Sequence, residues 1–142
     1  MLRKSGVIYL ILFSLLVLTF SCRGNKGTEK NWKYVGEIKD EKGNGVQVFM
    51  DMANLEIDGN KRNFWIRYMA VKDPKTGEKY IRQTGYWEID CFDMTLYRLG
   101  EEYYNPEGKL LGKSEKRVRE EYSSYESLGA KMSDVACRYA GK

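Results

Sequence analysis

The side chains that could do chemistry in this chain are few and mostly of one kind. Its 142 residues include three cysteines, Cys22, Cys91 and Cys137, and no histidine. Without imidazole, neither a Ser-His-Asp nor a Cys-His nucleophilic site can be assembled, and the commonest general base and metal ligand is missing. Carboxylates remain, and two of them flanking a glycosidic bond can cleave it. Glu88, Asp90 and Asp93 are the nearest such cluster, and alternation along a strand puts Glu88 and Asp90 on one face. The plainer reading of that face is a solvated one opposite Trp87 and Ile89. Asp40, Glu41 and Asn44 offer oxygen ligands but lack the spacing of a calcium-binding loop, so they read as a turn. Gly43 and Gly45 precede no helix and make no phosphate loop. No catalytic residue, metal or cofactor is expected.

The cysteines carry more information. Arg3 and Lys4 are followed by an apolar run from Gly6 to Phe20. That run is short for a membrane span and has the layout of a secretory signal. Leu18-Thr19-Phe20-Ser21-Cys22 resembles the lipobox of bacterial lipoproteins. The resemblance implies removal of residues 1–21 and a lipid on the Cys22 sulfur, and more than one acyl chain anchors stably. The alternatives are ordinary signal cleavage near Ser21 and an uncleaved anchor helix. Residues 22–31 form the expected tether. Beyond Cys22 it is polar (RGNKGTEKN), without an aliphatic side chain, and spans at most ~30 Å when extended.

The signal holds two basic residues, Arg3 and Lys4, and no acidic ones, so its loss changes 24 basic residues to 22 against 20 acidic ones, a net +2. That balance lacks the concentrated basic face of a nucleic-acid binder. With Cys22 lipidated, Cys91 and Cys137 remain, and an even remainder in an oxidising compartment reads as one disulfide, two free thiols being the alternative. The bond would close a loop of about 45 residues and contribute roughly 3–4 kcal/mol on the chain-entropy model.

Positioning these residues falls to a chain with 11 tyrosines, three tryptophans and a two-residue period. Trp32, Tyr34 and Gly36 alternate with Lys33, Val35 and Glu37. Val46, Val48 and Met50 oppose Gln47, Phe49 and Asp51. Arg62 to Val71 is the strongest strand, with Phe64, Ile66, Tyr68 and Ala70 on one face and Trp65, Arg67 and Met69 on the other. Apolar residues on both faces mark it as central. Tyr80–Asp90 and Met94–Tyr104 are further strands. Asp40–Gly45, Asp58–Lys61, Asp73–Gly77 and Asn105–Gly108 are turns. About five or six strands joined so tightly form an antiparallel meander, because parallel strands need long crossovers. Lys113 to Glu121 reads as a charged edge strand, a loop or a helix start. A helix follows, capped at Ser123 or Ser127, with Leu128, Met132, Val135 and Tyr139 as its stripe. Cys137 lies about half a turn off that stripe.

Taken in order, Trp32–Gly36, Val48–Asp51 with Asn54-Leu55, Phe64–Tyr68, Glu88–Cys91, Leu96–Arg98, Tyr103-Tyr104, Glu107–Lys109 and Ser127–Cys137 resemble the surface-adhesin E family of bacteria. The resemblance covers about Trp32 to Cys137, within an expected domain of residues 32–142. It implies an α+β fold, a five- to six-stranded antiparallel sheet packed against one C-terminal helix, with a Cys91–Cys137 disulfide joining them. The chain departs from the family pattern before the helix, where Tyr125-Glu126 replaces the usual proline.

The expected function is a lipid-anchored, non-enzymatic binding module of the cell envelope, with adhesion to host or matrix proteins as its leading role. The rival is a periplasm-facing accessory lipoprotein binding an envelope component or partner protein. With attachment to the membrane through Cys22, Arg23 rather than Asp at the next position resembles the pattern of lipoproteins sorted to the outer membrane, the expected location, on its surface or periplasmic face. Tyr103, Tyr104, Arg117, Arg119 and Tyr122 form the expected partner surface, since Tyr and Arg are enriched at interface hot spots. Self-pairing into a homodimer is a further use of the sheet edge.

Overall fold

The computed structural model describes residues 31–121 and 127–140. Eight strands form one antiparallel sheet: β1 (Trp32–Lys39), β2 (Gly45–Asp51), β3 (Glu56–Asp58), β4 (Lys61–Asp73), β5 (Glu78–Asp90), β6 (Thr95–Tyr104), β7 (Leu110–Ser114) and β8 (Val118–Glu120). One helix, α1 (Leu128–Cys137), completes the fold among the described residues. The sheet order is β1-β2-β4-β5-β6-β7, with β3 added beside β4 and β8 beside β6. Six strands carry the main path, as the meander predicts, and the two extra ones are only three residues long.

Turn chemistry sets the register. Asp73 accepts from the Lys75 amide at 2.8 Å, and Gly77, at φ 69°, closes the β4–β5 hairpin, a conformation glycine adopts without a Cβ clash. Asp51, buried at the end of β2, accepts from the amides of Ala53 and Asn54 and from the Asn54 side chain at 2.7 Å. β4 and β5 are the long central pair, thirteen residues each, so both their faces need partners.

The core lies on the helix side of the sheet. Val46, Val48, Met50, Phe64, Ile66, Tyr68, Ala70, Trp87, Ile89 and Leu96 meet Met132 and Ala136 of α1. In β1 the simple alternation fails. A register shift between Tyr34 and Gly36 leaves Tyr34 exposed while Gly36 faces Leu128 and Lys131 of the helix. An extra residue in one strand reverses which side chains point inward.

The helix begins at Ser127, whose hydroxyl accepts from the Ala130 amide at 3.2 Å. Ser123, the other proposed cap, lies outside the described residues. Met132, Ser133 and Ala136 are its buried positions, so the contact face is rotated from the stripe of large apolar residues toward smaller ones. That rotation brings Cys137, the last helical residue, to the sheet. It bonds Cys91 just beyond β5, with a Cα–Cα separation of 5.6 Å. The ambiguous Lys113–Glu121 stretch resolves into the end of β7, a connection at 115–117, and β8.

Candidate functional site

Among the described residues one ten-residue helix covers one face of this sheet and leaves the other without a helix. The opposite face is built from the alternate residues of the same strands, and it is rich in aromatic rings. Trp65 and Tyr86 are directly paired across β4 and β5, with ring centroids 4.9 Å apart and planes at 32°. Trp65 remains 39% exposed. Beside them, Phe49 pairs with Arg67. The Arg67 guanidinium carbon lies 4.5 Å from the Trp32 ring centroid and 5.2 Å from that of Phe49. Tyr34 meets Phe49 edge-on at 5.6 Å. Held between two rings, the Arg67 fork is oriented before any partner arrives. Lys79 donates to the Gln47 side chain at 2.6 Å across this face.

Toward β6, the same face carries an ion pair over a ring. Glu88 pairs with Tyr97 in register. Arg117, reaching in from the connection before β8, stacks 3.9 Å above the Tyr97 ring and donates to Glu88 at 2.9 Å. Lys61 approaches the same carboxylate to 3.4 Å. Burial of Glu88 pushes its pKa up, but the Arg117 hydrogen bond and the two cations outweigh that, and the carboxyl sits below its ordinary value. Glu88 is therefore a buried, ionised anchor, which corrects the expected solvated face. Asp90 accepts from the Phe92 amide at 2.9 Å and Asp93 from the Thr95 amide at 2.9 Å. In this arrangement Asp90 and Asp93 serve turns and Glu88 an ion pair.

The residues of the expected partner surface are distributed over both sides of the sheet. Tyr103 and Tyr104 are consecutive in β6 and point to opposite faces. Tyr104 donates to Glu102. Arg119 pairs in register with Tyr97, close to Arg117. Tyr122 and Cys22 lie outside the described residues. On the helix side, Arg98 binds Glu101 at 2.6 Å and Glu120 at 3.0 Å, fastening β8 to β6 beside a shallow pocket of about 250 Å³. Sequence reasoning did not nominate Trp32, Phe49, Trp65, Arg67 and Tyr86 as a surface. The signal was present: apolar residues on both faces of the central strand, and one helix to cover them.

A helix stapled by a disulfide to one face of an antiparallel sheet, with aromatic and arginine side chains laid out on the other, defines a small α+β domain whose open chemistry is a surface. A family model for surface-adhesin protein E matches residues 32–138, and the chain belongs to that family. No curated protein and no solved structure matches the chain.

Proposed function

We propose that this protein is a lipid-anchored, non-enzymatic binding module of the bacterial cell envelope. It engages a protein partner through the helix-free face of its sheet, with adhesion to host or matrix proteins as its role. The observation that carries this reading is the exposed Trp65–Tyr86 pair beside an Arg67 already held between Trp32 and Phe49. Trp, Tyr and Arg dominate interface hot spots, and side chains fixed before binding lose less entropy on association. The family description, surface-adhesin protein E, agrees with it.

The test is binding of the full chain to a panel of immobilised matrix glycoproteins. Trp65→Ala and Tyr86→Ala are expected to weaken binding at least tenfold, the order of ~1.4 kcal/mol, while Leu111→Ala on the far edge leaves it unchanged. Binding that survives both face substitutions would sink the assignment of this surface. Protease treatment of intact cells reports the side of the membrane. Clipping on whole cells is expected of a surface module, and clipping only after lysis would place the domain in the periplasm.

A further inference from the structure

Phe92 is the most exposed large apolar side chain among the described residues, at 85%, and Met94, two residues on, is 43% exposed. Both stand on the turn between β5 and β6. Nothing about that turn is slack. The Phe92 amide donates to Asp90, the Thr95 amide and hydroxyl to Asp93, and the Cys91 amide to the Asn60 carbonyl at 2.9 Å. Cys91 is also bonded to Cys137 of α1. Met94 sits at φ 59°, a region that costs a side chain with a Cβ. Two exposed apolar side chains are thus held outward by a braced, locally strained backbone.

The place of this turn in the sheet suggests what it meets. β1, β4 and β6 run in one direction, so their starts, and the end of β5, share one end of the sheet. The chain therefore enters β1 at the end that carries Phe92. In register, Trp32 opposes Asp51 and Met50 opposes Ile66, while β4 begins at Lys61 opposite Asp90. The turn then projects about 16–20 Å past the start of β1 at the usual strand rise. The nine residues from Arg23 to Asn31 span at most ~30 Å, which is enough for a lipid at Cys22 and the turn to reach one bilayer. Basic side chains stand around the turn. Arg62 reaches back to the Gly59 carbonyl of the β3–β4 turn, Arg119 acts on Asp93, and exposed Arg138 follows Cys137. Acidic groups stand there too: Asp90 and Asp93 accept from amides, Asp134 pairs with that same Arg138, and Asp58 lies opposite Lys61 in register, so the net basic charge comes from the stretch that leads to the anchor. Arg23, Lys26 and Lys30 outnumber Glu29 in the connecting stretch, a composition drawn to anionic headgroups.

We propose that the Cys91–Met94 turn is a second membrane contact, with Phe92 and Met94 seated in the bilayer interface beside the lipid anchor, so that the strands stand upright and the helix-free face points sideways. This rests on the lipid-anchor reading above. The test is amide hydrogen exchange of the full chain in phosphatidylethanolamine–phosphatidylglycerol vesicles, with intact mass recording the acyl state of Cys22. The reference is the Cys22→Ser chain without vesicles. Exchange at residues 92–95 is expected to slow about five- to tenfold on vesicles, and a Phe92→Ser/Met94→Ser chain is expected to lose that slowing while β4 amides stay protected. An acylated protein with no slowing at the turn overturns the tip and leaves the anchor standing. A mass without acyl chains overturns the anchor, and the tip falls with it. Slowing by a matrix glycoprotein and not by vesicles overturns the membrane contact and gives the turn to a protein partner.

Discussion

Burial alone would make Glu88 harder to ionise, yet Arg117 and Lys61 hold it as a carboxylate below its ordinary pKa of 4.5. A carboxyl whose folded pKa is lowered adds stability above its unfolded pKa, and that stability is lost as pH falls through the lowered value. Glu88→Gln is therefore expected to destabilise the protein by about 1 kcal/mol at pH 7, a modest figure because Arg117 is half exposed. Urea denaturation checks it: the gap between variant and parent should hold from pH 7 to about pH 5 and close as pH falls through and below 4.5. A gap that persists at pH 3 would assign the loss to packing. The alternation of β5 fixes the face on which Glu88 lies, and that much was legible. Its partner was not, because Arg117 is 29 residues away and comes from a connection with no period of its own. The same limit hid the site. Trp65 and Arg67 could be placed on one face of a strand, but that Trp32 and Phe49 sandwich Arg67 depends on strand order, which no local pattern encodes.

At the scale of elements, the strands were readable because turn residues punctuate a two-residue period, broken in β1 by its register shift, and β4, expected at 62–71, runs over Lys61–Asp73. Three-residue strands such as β3 and β8 leave no such period. The helix face was read only in part: Leu128, Met132 and Val135 of the expected stripe do pack on the core, but the small residues beside them were missed. Its stripe was drawn through large apolar residues, whereas Ser133 and Ala136 let it lie close to the sheet, and the Ser133 hydroxyl is satisfied by the Gly129 carbonyl at 2.8 Å. A comparable small-for-large fit joins two neighbours of β5. A Cβ on Gly85 would stand 2.6 Å from Nε1 of Trp87, and that indole is packed in the core at 7% exposure. Close packing around a buried ring resists its displacement. Gly85→Ala should cost about 1–3 kcal/mol by overpacking, read as a lower urea midpoint with an unchanged slope and a shifted Trp emission. An unaltered midpoint would mean that the indole moves aside freely.

Across the whole molecule, the helix is the cover of a core face that β4 alone extends for about 43 Å, while ten helical residues reach about 15 Å. Val35, Tyr80 and Leu128 fill in around the buried cluster, and Arg82 draws the Asp40 turn to 3.9 Å of its guanidinium. So short a helix holds its place through the Cys91–Cys137 bond as well as through Met132 and Ala136. The bond spans 46 residues, including β6, β7 and β8, so reducing it restores to the unfolded chain the freedom of nearly a third of the sequence. The chain-entropy model puts that at about 4 kcal/mol, against a total of about 5–15 kcal/mol for an ordinary domain. The oxidised protein should unfold in one transition, and a Cys91→Ala/Cys137→Ala chain should lose roughly 3–4 kcal/mol in urea with its helix signal falling together with the sheet. A helix that melts first, with the sheet midpoint unmoved, would show that the staple positions α1 without supporting the core. The same bond braces the turn that carries Phe92, so both ends of the proposed function depend on it: the sheet face needs the core behind it, and the turn needs a fixed base.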